Sequence, residues 1–353
     1  MRILSVVGAR PQFVKLAPVA AAIRRAGLEH VVVHTGQHYD ENMSQSFFDS
    51  LRIPDPDVNL EIGSSSHGAQ TGAMMAALEP AFERYAPDWV LAYGDTNSTI
   101  ASALCAVKLH LPLAHLEAGL RSFNRRMPEE HNRVLTDHAA DLCLAPTKVA
   151  AEHLTREGLA DRTVVVGDVM TDVVLQVASS VADQAVDSPI PAAESGYVLA
   201  TIHRPDNTDD RDRLTAIVES LARLDRRVYL AAHPRLVARA EAFGLDLCSG
   251  SITAVTPLAY PQLIQALRGA NAVVTDSGGL QKEAFLMGVA TTTVRTETEW
   301  VETLADGWNV IAPEPADIGA AVNRPAPTAE RSAPYGDGTA ADRAVQTLRT
   351  WRP

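Results

Sequence analysis

Short apolar segments with strand character alternate with amphipathic helical segments along almost the whole chain. Residues 3–7 predict a buried strand, and residues 15–26 predict the helix that follows it. Strands that are apolar on both faces are typical of a parallel sheet covered by helices on both sides. The alternation therefore predicts an α/β fold made of Rossmann-like, doubly wound sheets.

The alternation is interrupted once, by a stretch rich in Ala, Ser and Pro near the middle of the chain. A chain of 353 residues is long enough for two domains with separate cores. We therefore predict a Rossmann-like domain at residues 1–176, a linker at 177–196 and a second Rossmann-like domain at 197–338, with the two facing one cleft. A last helix is predicted within residues 339–353.

Composition argues against several classes of function. The formal net charge of −12 argues against a nucleic-acid partner, because nucleic-acid binders carry a basic face. The sequence has no run of about 18 apolar residues, which argues against a membrane span and makes the cytoplasm the expected location. The three cysteines form no CxxC pair, so neither a zinc site nor a disulfide framework is expected.

The first strand runs into Gly8-Ala9-Arg10-Pro11-Gln12, at the position where open α/β sheets bind ligands. This turn lacks the GxGxxG pattern, so it predicts no dinucleotide cofactor. Arg10 and Lys15 are candidates to contact an anion at this helix start. Basic residues there are equally explained as solvated side chains, and the spacing does not choose between the two explanations.

Two carboxylates follow predicted strands at equivalent places. Asp95 comes two residues after the end of a strand, separated from it by Gly94, and Glu117 comes directly after the next strand along the chain. A helix N-cap would by itself explain Asp95. If the two strands are neighbours, however, both carboxylates open on one sheet edge, where pairs with divergent pKa values perform acid–base chemistry.

A third acidic group begins a predicted helix, at Pro128-Glu129-Glu130. Proline followed by glutamates stabilises a helix start, so helix stability alone accounts for one of the two glutamates. It does not explain the arginines that crowd this part of the sequence, which are Arg121, Arg125, Arg126 and Arg133.

In the second half, strands end at His203 and at His233, and two histidines at equivalent strand ends favour contact of at least one with a phosphate. Ser277-Gly278-Gly279 lies between an apolar strand and a helix, where glycines let backbone N–H groups approach a diphosphate. Glu283, about one turn further, is a candidate to bind ribose hydroxyls. Arg295, at the end of the next strand, is a candidate to add positive charge.

Taken together, these residues resemble the UDP-N-acetylglucosamine 2-epimerase family, of the non-hydrolysing bacterial kind. The ordered set of motifs carries the resemblance, because no single tetrapeptide is decisive. The matching motifs are Gly8-Ala9-Arg10-Pro11, Thr35-Gly36-Gln37-His38, Gly94-Asp95-Thr96, His115-Leu116-Glu117-Ala118-Gly119-Leu120-Arg121, Pro128-Glu129-Glu130-His131-Asn132-Arg133, Gly167-Asp168-Val169, residues 275–283, and Tyr335-Gly336-Asp337-Gly338.

The resemblance implies the GT-B fold, a UDP-binding second domain, a C-terminal helix that returns toward the first domain, and a homodimer. It implies a reaction in which UDP leaves as carbon 2 of a UDP-sugar loses its proton, giving a 2-acetamidoglucal to which UDP adds back. It implies no cofactor and no metal. By position, it implies catalytic roles for Asp95, Glu117, Glu129 and His203, and substrate- or UDP-binding roles for Arg10, Lys15, Ser277, Gly278, Gly279, Glu283 and Arg295.

Three segments, at residues 121–127, 201–207 and 281–283, depart from the best-known members and resemble the branch that includes epimerases of UDP-2,3-diacetamido-glucuronic acid. Three other functions are compatible with parts of the sequence: a hydrolysing epimerase that releases the free sugar, a UDP-sugar glycosyltransferase, and a nucleotide-sugar binder without activity. A glycosyltransferase would not need the acidic groups of the first domain. These groups and His203 also disfavour an inactive binder.

Overall fold

The structure is a computed structural model that describes residues 1–36, 53, 55–183, 186–191 and 193–352. The chain divides into two compact units, of which unit 1 comprises Met1–Val173 and Ala333–Pro353, and unit 2 comprises Val174–Ser332. Each unit is built on one parallel sheet with helices between its strands. The predicted α/β fold with two doubly wound sheets is therefore confirmed.

Unit 1 contains a seven-stranded sheet. Its strands, numbered as the structure describes them, are β1 (Arg2–Val7), β2 (Glu29–His34), β3 (Val58–Asn59), β4 (Trp89–Tyr93), β5 (Leu113–Leu116), β6 (Leu142–Ala145) and β7 (Thr163–Val165). Its helices are α1 (Arg10–Arg25), α2 (His67–Tyr85), α3 (Asn97–Lys108), α4 (Pro128–Ala139), α5 (Lys148–Arg156) and the first part of α6 (Val169–Asp183), and a 3-10 turn lies at Ala160–Arg162.

Unit 2 contains a six-stranded sheet. Its strands are β8 (Tyr197–Thr201), β9 (Val228–Ala231), β10 (Ile252–Val255), β11 (Ala270–Thr275), β12 (Ala290–Thr293) and β13 (Asn309–Ile311). Its helices after α6 are α7 (Pro205–Thr208), α8 (Arg211–Ala222), α9 (Pro234–Phe243), α10 (Tyr260–Gly269), α11 (Gly278–Leu286) and α12 (Ile318–Val322), and 3-10 turns lie at Val301–Gly307 and Pro315–Asp317.

The central strands lack an alternating pattern because both of their faces are covered. All five residues of β4 are buried, as are all four residues of β5 and of β6. Adjacent strands pair in parallel, with Ser5 of β1 opposite Leu91 of β4 and Leu91 opposite Ala114 of β5. The carboxyl ends of these strands therefore meet at one edge of the sheet.

The strand order reverses once in each sheet. The order is β3-β2-β1-β4-β5-β6-β7 in unit 1 and β10-β9-β8-β11-β12-β13 in unit 2. The reversal falls between β1 and β4 in the first sheet and between β8 and β11 in the second. Such a switch point opens a crevice at the carboxyl ends of the strands, where doubly wound folds bind ligands. Each unit therefore has one crevice in which functional side chains are expected.

The chain ends in α13 (Ala340–Thr350), which belongs to unit 1 and packs on α1. Arg25 donates to Asp342 Oδ1 at 2.7 Å, and the indole N–H of Trp89 donates to the Leu348 carbonyl at 3.1 Å. The division between the two units falls within α6, so the predicted linker at 177–196 begins inside a helix.

Among the residues that the structure describes, no helix is long and apolar enough to cross a membrane. The same residues include no group of three or more His, Cys, Asp or Glu side chains placed to hold a metal ion.

Candidate functional site

The turn after β1 is fixed to the end of β4 by Gln12, whose role the sequence did not reveal. Gln12 Oε1 accepts hydrogen bonds from Gly8 N at 2.8 Å and Ala9 N at 3.0 Å, while its Nε2 donates to the Tyr93 carbonyl at 2.8 Å. Gln12 thus satisfies N–H groups at the start of α1 and joins the two switch-point strands. Arg10 is the first residue of α1, and the structure describes its backbone only.

Lys15 and Glu117 form a buried ion pair at this switch point. Lys15 Nζ contacts Glu117 Oε2, and the two side chains are only 11% and 8% exposed. Burial by itself would lower the pKa of Lys15, but the Glu117 and Asp95 carboxylates outweigh it and raise that pKa. A methyl group added at Gly94 would lie 3.2 Å from Lys15 Nζ and 3.4 Å from Glu117 Oε2. The pair therefore lies beside the residue that precedes Asp95.

The backbone of Glu117 is in an unfavourable conformation. Its φ of +75° lies in the left-handed region, which costs a non-glycine residue about 1–3 kcal/mol. The Glu117 N–H donates to the Leu144 carbonyl at the end of β6, at 3.1 Å. A strained residue with a buried carboxylate at a strand end is typical of a functional position.

Asp95 opens on the same switch point and is held by α4. Its Oδ2 accepts from Arg133 at 2.5 Å, and its backbone carbonyl accepts from Asn132 Nδ2 at 2.9 Å. Burial raises the pKa of the Asp95 carboxyl above its ordinary value, against the opposing charges of Arg133 and Lys15. The side chain is still 28% exposed, so a ligand can reach it. Asp95 is therefore suited to exchange a proton.

The two adjacent glutamates at the start of α4 have different surroundings. Glu130 is buried, and its carboxylate accepts hydrogen bonds from the Ser122 and Phe123 N–H groups at 2.9 Å each. Its Oε2 also accepts from Arg133 Nη1 at 3.1 Å. Glu130 therefore fixes the loop before the helix. Glu129 is exposed on the first turn of α4. Of the two, Glu129 is the one that can approach a ligand.

In unit 2, Asp276 organises the switch point between β8 and β11. This fully buried carboxylate accepts from His203 N at 3.0 Å, Arg204 N at 2.9 Å and Asn207 Nδ2 at 3.0 Å. It thereby fixes the turn after β8 to the end of β11. The sequence did not reveal this role, although Asp276 directly precedes Ser277.

His203 lies at the end of β8 with its ring against Asp276. Its Nδ1 is 3.2 Å from Asp276 Oδ1, and the side chain is 37% exposed. Nδ1 carries the hydrogen in this contact because Asp276 accepts, which leaves Nε2 as the atom that can act on a ligand. The His203 and His233 rings have centroids 5.5 Å apart. The two histidines predicted at equivalent strand ends are therefore neighbours.

Ser277 caps the start of α11, and a carboxylate lies close to the next residue. Ser277 Oγ accepts from Leu280 N at 3.4 Å. A methyl group on Gly278 would lie 2.5 Å from Glu299 Oε1, so a larger residue here would require the Glu299 side chain to shift. A methyl group on Gly279 would find no atom closer than Ser277 Oγ at 3.9 Å. The helix start at Gly279 is therefore open to a ligand.

Arg295 supplies a cation in unit 2. Its Nη1 donates to Glu299 Oε2 at 2.9 Å, and its side chain is 5% exposed. Its Nη2 is buried without a hydrogen-bond partner among the described residues. A buried donor without a partner is costly, so an acceptor from a ligand would stabilise it. Arg295 thus fits a role in binding an anion.

Glu283 and Lys282 lie on α11 after the glycines. Glu283 is 6% exposed and Lys282 is 2% exposed. Lys282 Nζ lies 3.8 Å from the centroid of the Trp300 ring, which is a favourable cation–π distance. Lys282 therefore packs inside unit 2.

Each predicted set of site residues is thus found at the switch point of its own unit. In unit 1 the structure brings together Lys15, Asp95 and Glu117, with Glu129 on a neighbouring helix start. In unit 2 the residues close to the ends of β8, β11 and β12 are His203, Ser277, Gly278, Gly279 and Arg295, and Glu283 lies further along helix α11. Two motif residues, Gln37 and His38, lie outside the described residues.

The fold is α/β, with acidic side chains at the switch point of unit 1 and a glycine-led helix start at the switch point of unit 2. The family model for UDP-N-acetylglucosamine 2-epimerase matches residues 21–349. The chain belongs to this family and is an epimerase, as the sequence resemblance predicted.

Relatives with assigned names support this family membership. The UDP-2,3-diacetamido-2,3-dideoxy-D-glucuronate 2-epimerase of Pseudomonas aeruginosa is 47% identical over 326 residues, 90% of each chain. The UDP-N-acetylglucosamine 2-epimerase of Methanocaldococcus jannaschii is 38% identical over 322 residues, 88% of each chain. A crystal structure of the M. jannaschii UDP-GlcNAc 2-epimerase in complex with UDP-GlcNAc and UDP superposes with a TM-score of 0.88 at 36% identity, covering 99% of each chain.

Proposed function

We propose that the protein inverts carbon 2 of UDP-N-acetylglucosamine, or of a closely related UDP-2-acetamido sugar, and releases the UDP-linked manno epimer without hydrolysis. One observation carries this proposal. Two carboxylates, Asp95 and Glu117, share the unit 1 switch point with the Lys15 ammonium, in a chain of the 2-epimerase family. Positioned carboxylates of this kind can accept a proton from carbon and return it.

The proposed reaction is an elimination followed by an addition. A base removes the proton from carbon 2, the electron pair forms a carbon 1–carbon 2 double bond, and the bond from carbon 1 to the UDP oxygen breaks. UDP then adds back to carbon 1 of the 2-acetamidoglucal, and carbon 2 takes a proton on the opposite face. The two steps transfer no electrons to an acceptor, so the proposal includes no nicotinamide. Following the family resemblance, it also includes no metal.

We assign proton transfer and stabilisation of the glycal to Asp95, Glu117 and Glu129 as a group. The raised pKa of Asp95 supports this assignment, because a carboxyl that is readily protonated can both accept and return a proton. The exposure of Glu129 at the start of α4 supports its approach to the sugar. We assign the departure of UDP to His203, whose Nδ1 contact with Asp276 orients the ring.

We assign UDP binding to Ser277, Gly278, Gly279 and Arg295, with Glu283 on the ribose. The unpartnered Nη2 of Arg295 and the open space at Gly279 support this assignment. A helix start donates N–H groups and favours negative charge, as a diphosphate requires. We further assign Arg10 and Lys15 to the substrate anion, from their positions at the start of α1.

A second candidate substrate is UDP-2,3-diacetamido-2,3-dideoxy-D-glucuronate. The observation in its favour is the 47% identity to the Pseudomonas aeruginosa enzyme named for that sugar, together with the departures at residues 121–127, 201–207 and 281–283. The chemistry at carbon 2 is the same for both sugars. The ratio of kcat/KM for the two sugars decides between them.

Proton NMR in deuterated water tests the proposed reaction. The purified protein is incubated with UDP-N-acetylglucosamine, and in parallel with the diacetamido-glucuronate sugar. We expect a UDP-linked manno product with deuterium at carbon 2, because the base exchanges the abstracted proton with solvent.

The other functions give different spectra in the same tube. A hydrolysing epimerase releases free N-acetylmannosamine and UDP. A glycosyltransferase without an acceptor, or an inactive binder, leaves hydrogen at carbon 2 of an unchanged sugar. Any of these three results would refute the proposal. The homodimer and the cytoplasmic location rest on the sequence and stay predictions.

Gly279→Ala tests the proposed diphosphate position. The new methyl group would meet no atom closer than Ser277 Oγ at 3.9 Å, an ordinary van der Waals contact, and alanine is a better helix former than glycine. The melting temperature should therefore stay equal or rise slightly. The dissociation constant for UDP should nevertheless increase about tenfold or more, because the methyl group fills the space assigned to the phosphate. Isothermal titration calorimetry measures this change.

Gly319→Ala is the matched control for that variant. Gly319 lies in helix α12 of the same unit, and a methyl group there would have no neighbour within 4 Å. We expect a similar effect on melting temperature and an unchanged affinity for UDP. An unchanged affinity in Gly279→Ala would remove this turn from the proposed UDP site.

A further inference from the structure

A buried network of ionisable side chains lies beneath Asp95 and Glu117 in unit 1. His115 on β5 is fully buried, with Nδ1 2.6 Å from Asp137 Oδ1 and Nε2 2.7 Å from the Gly94 carbonyl oxygen. None of the roles assigned above includes His115 or Asp137. We propose that His115 is a positioning residue, held as an imidazolium, that fixes the turns carrying the two catalytic carboxylates.

The charge of His115 follows from the atoms that surround its ring. The Gly94 carbonyl can only accept a hydrogen bond, so Nε2 must carry hydrogen. A carboxylate also only accepts, so Nδ1 must carry hydrogen as well if Asp137 is ionised. A neutral imidazole has one N–H and would leave one of these short contacts between two acceptors. The geometry therefore requires both ring hydrogens whenever Asp137 is ionised.

The surroundings of Asp137 favour its ionised form. Its Oδ2 accepts from Arg121 Nη1 at 2.7 Å and from Gly119 N at 3.1 Å. Burial by itself would raise the pKa of Asp137, but the charges and hydrogen bonds of His115 and Arg121 outweigh it and hold that pKa below its ordinary value. The two donors that do not depend on His115, the Arg121 guanidinium and the Gly119 N–H, both meet Oδ2 and favour the carboxylate form of Asp137.

The remaining ionisable groups complete the charge balance. Arg121 forms a bidentate salt bridge with Glu157, in which Nε donates to Oε1 at 2.8 Å and Nη2 donates to Oε2 at 2.7 Å. The charges of His115, Arg121, Asp137 and Glu157 therefore sum to zero. Cys143 lies on the neighbouring strand β6, opposite His115. It adds no charge to the network, because burial raises the pKa of its thiol to about 12.

The network touches both turns that carry catalytic carboxylates. The Gly94 carbonyl belongs to the peptide bond that joins Gly94 to Asp95, so its hydrogen bond from His115 fixes the direction in which Asp95 leaves β4. Asp137 Oδ2 accepts a hydrogen bond from the N–H of Gly119, which lies two residues after Glu117. One ion pair therefore sets the placement of both groups. A shift of about 1 Å in such groups can cost about 100-fold in rate.

This inference rests on the proposed function, but its first test needs no activity. In the ¹⁵N-histidine-labelled full-length protein at neutral pH, one ring should show the paired N–H signals of an imidazolium. Its N–H hydrogens should exchange slowly, because the His115 side chain is fully buried. A buried ring with the single N–H of a neutral imidazole would overturn the proposal, whether or not the protein is an epimerase.

The second test separates positioning from binding. We expect His115→Gln to lower kcat about 100-fold while the UDP dissociation constant stays within about twofold, because UDP is assigned to unit 2 with its own core. His138→Gln is the control, since His138 lies at the exposed outer end of the network, 3.2 Å from Glu157. Its kcat should equal that of the wild type.

A double-mutant cycle covers the case in which His115→Gln loses general stability. If His115 and Asp137 act as one unit, His115→Gln combined with Asp137→Asn should cost no more in kcat than the worse single variant. Multiplied losses would overturn the proposal, as would a kcat for folded His115→Gln within about twofold of wild type. If the wild type itself fails to epimerise either UDP-sugar, the proposed function fails, and the ring protons still decide the charge of His115.

Discussion

Glu117→Gln will lower kcat about 1000-fold or more and leave the UDP dissociation constant within about twofold of the wild-type value. The amide has nearly the shape of the carboxylate but cannot take a proton, and positioned acid–base groups contribute about 10²–10⁴ in rate. Its neighbour Lys15 also loses the charge of its buried partner. The affinity for UDP should largely persist, because most residues assigned to UDP, namely Ser277, Gly278, Gly279, Glu283 and Arg295, belong to unit 2, which has its own core.

Steady-state turnover of the UDP-sugar and calorimetric titration with UDP measure the two parts of this prediction. Asp95→Asn should give the same result, because its carboxylate lies at the same switch point. Glu152→Gln is the control: Glu152 forms an exposed pair with Arg156 on the surface of helix α5, where such pairs contribute little. Wild-type rates in Glu117→Gln and Asp95→Asn would remove those residues from the mechanism.

The pH profile of kcat/KM shows whether Asp95 is the base that takes the proton from carbon 2. Burial raises the pKa of Asp95, so a base at this position gains its proton at a pH above the ordinary aspartate value near 3.9. Activity should therefore fall as the pH decreases toward that raised value, before an ordinary aspartate would be protonated. A profile that stays flat down to about pH 4 would assign the base to another group.

The fold could be predicted from the sequence to the level of two parallel α/β units, because buried strands and amphipathic helices leave local patterns. The strand predicted at residues 3–7 is β1, Arg2–Val7. The order of strands in the sheet has no local pattern. That order depends on which side of β1 the chain returns, and it is what makes β1 and β4 neighbours. The boundary between the two units lies inside helix α6 and could not be predicted from the sequence, because the helical pattern continues across it.

The candidate site was predictable where a residue lies within two residues of the end of a strand. Asp95, Glu117 and Ser277 are in this class. The residues that hold them in place were not predictable, because their contacts span long separations in sequence. Gln12 donates to a carbonyl 81 residues away, and Asp276 accepts from N–H groups more than 70 residues away. Long-range polar contacts of this kind become visible only when the sheet is assembled.

Gly119→Ala will destabilise unit 1 by about 4 kcal/mol or more, a drop of about 8 °C or more in its melting temperature. Gly119 has a φ of +86°, and a methyl group there would lie 2.4 Å from the Ala150 carbonyl oxygen and 2.8 Å from its carbon. These are backbone atoms of helix α5, so no side-chain rotation can relieve the contact. Either the helix or the turn after Glu117 must move.

Gly158→Ala isolates the steric part of this cost. Gly158 has a similar φ of +79°, but a methyl group there would have no neighbour within 4 Å. In the Gly158→Ala variant the free energy of unfolding should fall by about 1–2 kcal/mol, which is the cost of a left-handed backbone for a non-glycine residue. Thermal unfolding followed by circular dichroism compares the two variants. Equal losses would mean that α5 moves away freely. The turn after Glu117 would then not be held by packing, and the His115–Asp137 contact alone would have to position that carboxylate.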